Sequence, residues 1–314
     1  MDCKRGWLYM ERLNVLECPY PYVGWYADDL DSAGFNSWTK PFENRPMTED
    51  FKLCGVYGAG GVPYEIVEFD REAYPHLPPH EAIVQDLSDK VCTAISDGCS
   101  VYVSSGYCVY APAILGGMQR ALGCEARLGI VWIDAHADSV VLGKPGTEHA
   151  TLVGIPLSTS IGLTAPDWRC RACGLAVPCD PRNVLASDLR ASDEQCLEMV
   201  RHAGVVHLRE NQFENRALWA EEVRHLADRV DAIYLSIDAD ILSPEYVPAY
   251  YREEPGGHDP WTLLENMTSV FATGKVAALS TFCFDFDKVG DKREVTCLNA
   301  MRVIGGALKT WASV

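Results

Sequence analysis

The chain has 314 residues, and 27 Lys and Arg against 44 Asp and Glu leave a formal charge of −17. With 48% apolar and 23% charged residues it has the makeup of a folded protein, which excludes disordered, collagen-like and coiled-coil chains. So acidic a chain repels phosphate backbones and anionic lipid, so nucleic acid and membrane surfaces are poor partners for it.

No apolar stretch approaches the ~18–20 residues of a membrane span. The opening MDCKRGWLYMERLN lacks the apolar run and small-residue end of a secretory signal. The expected location is therefore the cytoplasm, with the 13 cysteines as free thiols rather than a disulfide framework. Neither an internal repeat nor a low-complexity linker divides the chain, which reads as a single domain over residues 1–314.

Taken in order, strands are expected at Leu13–Leu16, Ser100–Val103, Leu128–Ile133, Asn183–Ala186, Val205–Leu208, Ala232–Ile237 and Val276–Phe282. Amphipathic segments at His80–Ile95, Asp193–His202 and Ala217–Val230 alternate with them. Nearly continuous apolar strands between helices predict a three-layer α/β fold, a mainly parallel sheet covered on both faces. Tyr20–Met47 and Val140–Pro181, rich in Gly, Pro, Trp and Asp, read as long loops that shape a pocket rather than fill a core. Within the second, Cys170-x-x-Cys173 followed by Cys179 is either a weak zinc candidate or a cysteine-rich surface loop. The aromatic stretches Tyr20–Trp38 and Tyr246–Tyr251 line a pocket, an interface or a core edge, with nothing to choose among them.

Ligands of parallel sheets sit at the carboxyl ends of strands. There, Leu128–Ile133 runs into Asp134-Ala-His136-Ala-Asp138, and Ala232–Ile237 into Asp238-Ala-Asp240. If the extended backbone persists past each strand, a spacing of two turns these side chains to one face. Four carboxylates and an imidazole at one sheet edge repel unless neutralised, and two divalent ions supply the matching charge. Solvated acids after two unrelated strands are the plain alternative.

D-A-H-A-D after an apolar strand, then S-I-D-A-D-I-L-S-P about 100 residues on and Pro255-Gly-Gly257, resembles the ureohydrolase family. That family, which includes arginase, agmatinase and formiminoglutamase, hydrolyses guanidino or imino groups at a dinuclear manganese centre. The resemblance runs from about Ser100 to Ala307 and implies the arginase-like fold. The family's earlier G-G-D-H motif is missing: Gly116-Gly117 is followed by Met118-Gln119, and the better match is Ser105-Gly106-Tyr107-Cys108. Cys108 then stands at the first histidine ligand, either as a thiolate ligand or as a buried small hydrophobe. In this it resembles a subgroup that hydrolyses Nω-hydroxy-L-arginine in D-cycloserine synthesis.

The resemblance implies one ion held by Cys108, Asp134, Asp138 and Asp238 and another by His136, Asp134, Asp238 and Asp240. Manganese is expected, with zinc as the alternative that a thiolate favours. It implies a hydroxide bridging the ions as nucleophile toward an arginine-like or N-hydroxyarginine-like small molecule, with Asp138 relaying a proton. Asp285 stands near the family's guanidinium-pairing glutamate, or is a surface aspartate in Phe284-Asp-Phe-Asp287. Asp193 matches a substrate-reading aspartate and is equally a helix N-cap. Val153 replaces a proton-shuttling histidine; His149, four residues earlier, as a catalytic group, and His258, after the Pro-Gly-Gly turn, as a substrate contact, can approach the pocket or are ordinary loop histidines. Two other readings stay open: a different modified guanidino or formimino substrate, and a catalytically silent subunit. Family members form trimers or hexamers, and no feature here selects a homo-oligomeric state.

Overall fold

The computed structural model describes residues 10–18, 47–70, 73–147, 150–250, 253–284 and 290–314. The strands are β1 (Leu13–Glu17), β2 (Tyr64–Glu68), β3 (Ser100–Ser104), β4 (Leu128–Asp134), β5 (Val184–Asp188), β6 (Val206–Leu208), β7 (Ala232–Asp238) and β8 (Val276–Phe282). They form one sheet in the order β2-β1-β3-β8-β7-β4-β5-β6, parallel throughout. The helices are α1 (Met47–Cys54), α2 (Pro79–Ser96), α3 (Ala111–Leu122), α4 (Pro156–Ser160), α5 (Glu194–Ala203), α6 (Glu210–Phe213), α7 (Arg216–Arg229), α8 (Pro260–Phe271) and α9 (Asp291–Trp311). α3 packs on α2 and α4, while α8 packs on α7 and α9.

The central strands β4, β7 and β8 are buried at every residue. Strands covered on both faces carry apolar side chains in both directions, so their sequences read as runs rather than alternations. All seven expected strands are present, with ends moved by a residue or two. β2 is the eighth, and no apolar run announces it: it is an edge strand with no buried residue. Helix ends follow local chemistry. Asp193 caps α5, Asn215 caps α7 and Asp259 caps α8, while left-handed Gly204 closes α5.

Of the Tyr20–Met47 stretch, only Met47 lies within the described residues. The expectation that Val140–Pro181 merely shapes a pocket needs correction. It carries α4, buried at all five residues, and a π-helical turn at Trp168–Ala172, because its Leu, Ile and Trp side chains pack under α3. Its cysteines divide: Cys170 is exposed, Cys173 and Cys179 are buried, and the described cysteines are free thiols. Among the described residues none of the three joins a metal-binding group. No helix among them is long and apolar enough to cross a membrane.

The Gly116-Gly117 pair has a packing role. A Cβ on Gly116 would lie 1.9 Å from the Cys173 carbonyl oxygen, and one on Gly117 would lie 2.6 Å from that of Ser88. Backbone cannot yield as a side-chain tip does, so Gly116→Ala should cost about 1–3 kcal/mol despite alanine's better helix propensity. Gly305→Ala in α9, whose nearest neighbour would lie at 3.3 Å, should be near neutral. Urea unfolding of the two variants checks the contrast.

Candidate metal centre

β4 and β7 are neighbours, so Asp134 and Asp238 close adjoining strands in the middle of the sheet. Asp134 is 2% exposed, Asp238 3% and Asp240 1%. The extended backbone does not persist beyond either strand, contrary to the sequence expectation. Each aspartate instead folds the chain back on itself. Asp134 Oδ1 accepts from the His136 amide at 2.6 Å, and Asp238 Oδ1 from the Asp240 amide at 3.2 Å. The two turns are the same device, a short carboxylate bonding the backbone two residues on. A cross-bond joins them, from the Ala135 amide to Asp240 Oδ1 at 3.0 Å. His136 Nδ1 thereby comes within 2.7 Å of Asp240 Oδ2 and 3.7 Å of Asp134 Oδ1.

Cys108 arrives from β3. Ser105 and Gly106 both take positive φ, 64° and 83°, which swings the chain over the end of β8. Glycine is required at 106, since a Cβ would lie 2.6 Å from the Tyr110 ring and 2.8 Å from Cys18 Cβ. The buried Cys108 thiol lies near Asp138 and donates to the Val153 carbonyl at 3.6 Å. Asp138, Leu189 and Cys283 also have positive φ, at 44°, 61° and 63°. Four of the five described non-glycine residues in this conformation therefore cluster at strand ends around one point. Strain of this kind collects where a fold holds a functional geometry.

Groups unforeseen in the sequence add to the surroundings: buried Glu254 places Oε1 3.6 Å from His136 Nε2, and two others join it. Cys283, just past β8, lies beside Asp238. The Tyr250 hydroxyl donates to Asp238 Oδ1 at 3.2 Å and Asp240 Oδ2 at 3.0 Å. Neither is marked by spacing; only the stretch Tyr246–Tyr251 hinted at Tyr250.

The electrostatics follow from crowding. Burial first, then neighbouring carboxylates, hold Asp134 and Asp238 well above the usual carboxylate range. Burial also pushes Asp138 up to about 7, although the His136 charge and the Cys108 thiol pull the other way. Asp240 moves down: burial opposes ionisation, but the His136 contact outweighs it. Against its own desolvation, His136 is pushed up to about 12 by Asp134 and Asp240. Burial raises the thiols of Cys108 and Cys283 as well. The cluster thus retains protons to lower its charge, which a divalent cation accomplishes equally well. Ligand atoms of Asp134, His136 and Asp240 lie within 4.8 Å of one another. This oxygen-rich donor set with one imidazole fits a hard or borderline divalent ion.

The structure therefore gathers Asp134, His136 and Asp240 into one candidate ligand group, with Cys108, Asp138 and Asp238 nearby but outside it. Asp285 and His149 lie outside the described residues. Asp193 caps α5, Oδ1 accepting from the Cys196 amide at 2.7 Å, and also lines a cavity of about 180 Å³ with Ser139, Val140, Thr147 and Gln195. His258 is not where a substrate contact was expected. Its side chain is wholly buried on Phe213, 3.4 Å from Asp188 and 3.3 Å from Glu214, because its backbone bridges to Leu242 beneath the Asp238–Asp240 turn.

A sequence profile of the Arginase family matches residues 33–286. The arginase of Brucella melitensis is 25% identical over 195 residues, 61% of this chain and 62% of that protein, so the match spans less than two thirds of this curated relative. In fold, the chain is similar to Entamoeba histolytica arginase in complex with L-ornithine, with a TM-score of 0.76, 16% identity and coverage of 96% and 99%. It is also similar to the proclavaminate amidino hydrolase of Streptomyces clavuligerus, with a TM-score of 0.63, 15% identity and coverage of 98% and 94%.

The raised Asp138 sets a sign for pH dependence. A carboxyl whose folded pKa lies above its unfolded value, 3.8 shifting to about 7, stabilises the fold fully below the unfolded value. That contribution is lost as pH rises through the folded one. In chelator, the parent should therefore lose stability relative to Asp138→Asn, which keeps tolerance of positive φ, between about pH 4 and pH 7. Paired thermal melts check this, and a difference that stays constant with pH would contradict it.

Proposed function

Because the chain belongs to the arginase family, we propose that it is a metal-dependent hydrolase of linear C–N bonds in guanidino or amidino compounds. The convergence of four carboxylates, His136 and Cys108 on the ends of β3, β4 and β7 carries this reading. Cys108, Asp134, Asp138 and Asp238 would hold one ion; His136, Asp134, Asp238 and Asp240 would hold the other. Divalent ions, when bound, make hydroxide available near neutral pH and stabilise charge developing on the substrate. Manganese suits the oxygen-rich set, and the Cys108 thiolate is what would admit zinc.

The chain's own residues would do the rest. Asp138, whose carboxyl sits near neutrality at about 7, is suited to pass a proton from the attacking group to the departing nitrogen. Val153 offers only its backbone carbonyl toward Cys108, so a leaving group less basic than an ordinary amine, as in an N-hydroxyguanidine, places the smallest demand on a protonated helper. In this reading Asp285 pairs with the planar cation and His149 serves as a catalytic group.

A second substrate reading, a modified guanidino or formimino compound, draws support from the cavity that Asp193 lines. Its other lining groups, among them Val140, Val141, Thr147 and Cys196, are apolar or neutral. An end bearing an amine fits there better than a bare carboxylate. A silent subunit fits poorly, because clustered buried carboxylates are costly to keep without a purpose.

Purified protein supplied with manganese should hold about two ions per chain and release urea or hydroxyurea from a panel of arginine, Nω-hydroxyarginine and agmatine. Asp238→Asn should lose both metal and turnover. A fully active Asp238→Asn protein would contradict the reading, and bound metal without turnover on the panel would favour the second substrate class.

A further inference from the structure

Resting on that reading of the metal centre, we infer that Arg190 is a positioning residue that clamps the loop carrying Asp240. Arg190 follows β5, whose last residue, Asp188, pairs in register with Asp134. Its side chain is only 11% exposed and spends donors in three directions. Nη1 bonds Asp188 Oδ2 at 2.6 Å, Nη2 bonds the Asp240 carbonyl at 2.6 Å, and Nε bonds the Pro255 carbonyl at 2.9 Å. A planar guanidinium suits such a task, because its donors lie in fixed directions and it never loses its charge.

The same contacts account for the glycines of Pro255-Gly256-Gly257. A Cβ on Gly257 would fall 2.7 Å from Arg190 Nη2 and 2.8 Å from the Ser243 amide, and one on Gly256 would fall 3.3 Å from Nε. The turn must be bare for its backbone to lie against the guanidinium. Asp188 is in turn buried with no side-chain exposure, and Oδ1 has no hydrogen-bond partner. Removing Arg190 therefore leaves that carboxylate without its guanidinium partner, with His258 beside it at 3.4 Å, and frees both the Asp240 carbonyl and the Pro-Gly-Gly turn. Asp240 is already joined to Ala135 and His136, so a shift of its backbone is felt on β4 as well.

The test is a titration of the chelator-stripped full-length protein with manganese alone, together with thermal melts with and without the ion. Groups that orient metal ligands typically contribute 10–100-fold to affinity, so Arg190→Met should raise the manganese dissociation constant by about that factor. It should also shrink the rise in melting temperature that manganese produces. Arg190→Lys, one donor in place of a fork, should fall between Arg190→Met and the parent. Gly257→Ala presses on the clamp from the other side and should weaken manganese binding too. If Arg190→Met does not fold, the lysine and Gly257→Ala variants carry the test. Variants that melt lower without metal yet bind manganese like the parent would show ordinary scaffolding and overturn the inference. A parent that takes up neither manganese nor zinc would instead remove the metal-centre reading, and the clamp with it.

Discussion

Like charges meeting at the carboxyl edge of a parallel sheet set the terms for everything around them. β4 and β7 must lie side by side for the core to close, and each ends in an aspartate with almost no exposure. Ionised carboxylates in that position are too costly to leave alone. The fold answers locally, spending one oxygen of each on the amide two residues ahead, and then regionally, by bringing His136 and the Tyr250 hydroxyl against Asp240. What remains after those contacts is an excess of electron-rich oxygen with a thiol on its rim, which is the chemical description of a cation site.

Strain and charge are arranged together. The left-handed residues Ser105, Asp138, Leu189 and Cys283 stand at the ends of four different strands or the turns beyond them. Each redirects the chain at the point where continued extension would carry a donor away from its neighbours. Beneath the Asp238–Asp240 turn, Arg190 joins Asp188, the Asp240 carbonyl and the Pro255 carbonyl. In metal sites the groups behind the ligands matter nearly as much as the ligands, and the proposed clamp draws them from β5 and the turn at Pro255.

Legibility from sequence followed the physics of each signal. Apolar runs such as Leu128–Ile133 and Ala232–Ile237 are written by burial on both faces, and burial is a local property of the residues. The edge strand Tyr64–Glu68 is held by pairing with β1 alone, which leaves no mark on its composition. The paired acid motifs stood out because so many carboxylates after apolar strands demand a reason. Their convergence was foreseen, but by the wrong geometry, since side-chain-to-backbone bonds and not extension bring the groups together. Cys283, Tyr250 and Arg190 become neighbours of the site through tertiary contacts between strands far apart in the chain. His258, singled out for its place after the glycines, has a side chain that points into the core.

The segment after Asp138 is closed at its base. The Asp138 carbonyl accepts from the amides of Leu157 and Ser158 at 3.0 and 3.3 Å, and the Val140 amide bonds the Gly154 carbonyl at 3.0 Å. A loop pinned at its neck can lengthen, shorten or change composition at a cost that grows only slowly with its length. Its neck, meanwhile, keeps Asp138 in place. Descent with modification can therefore rewrite the stretch that a ligand would meet while leaving Asp138 untouched. One scaffold can in this way come to serve molecules that share a reactive end and differ everywhere else.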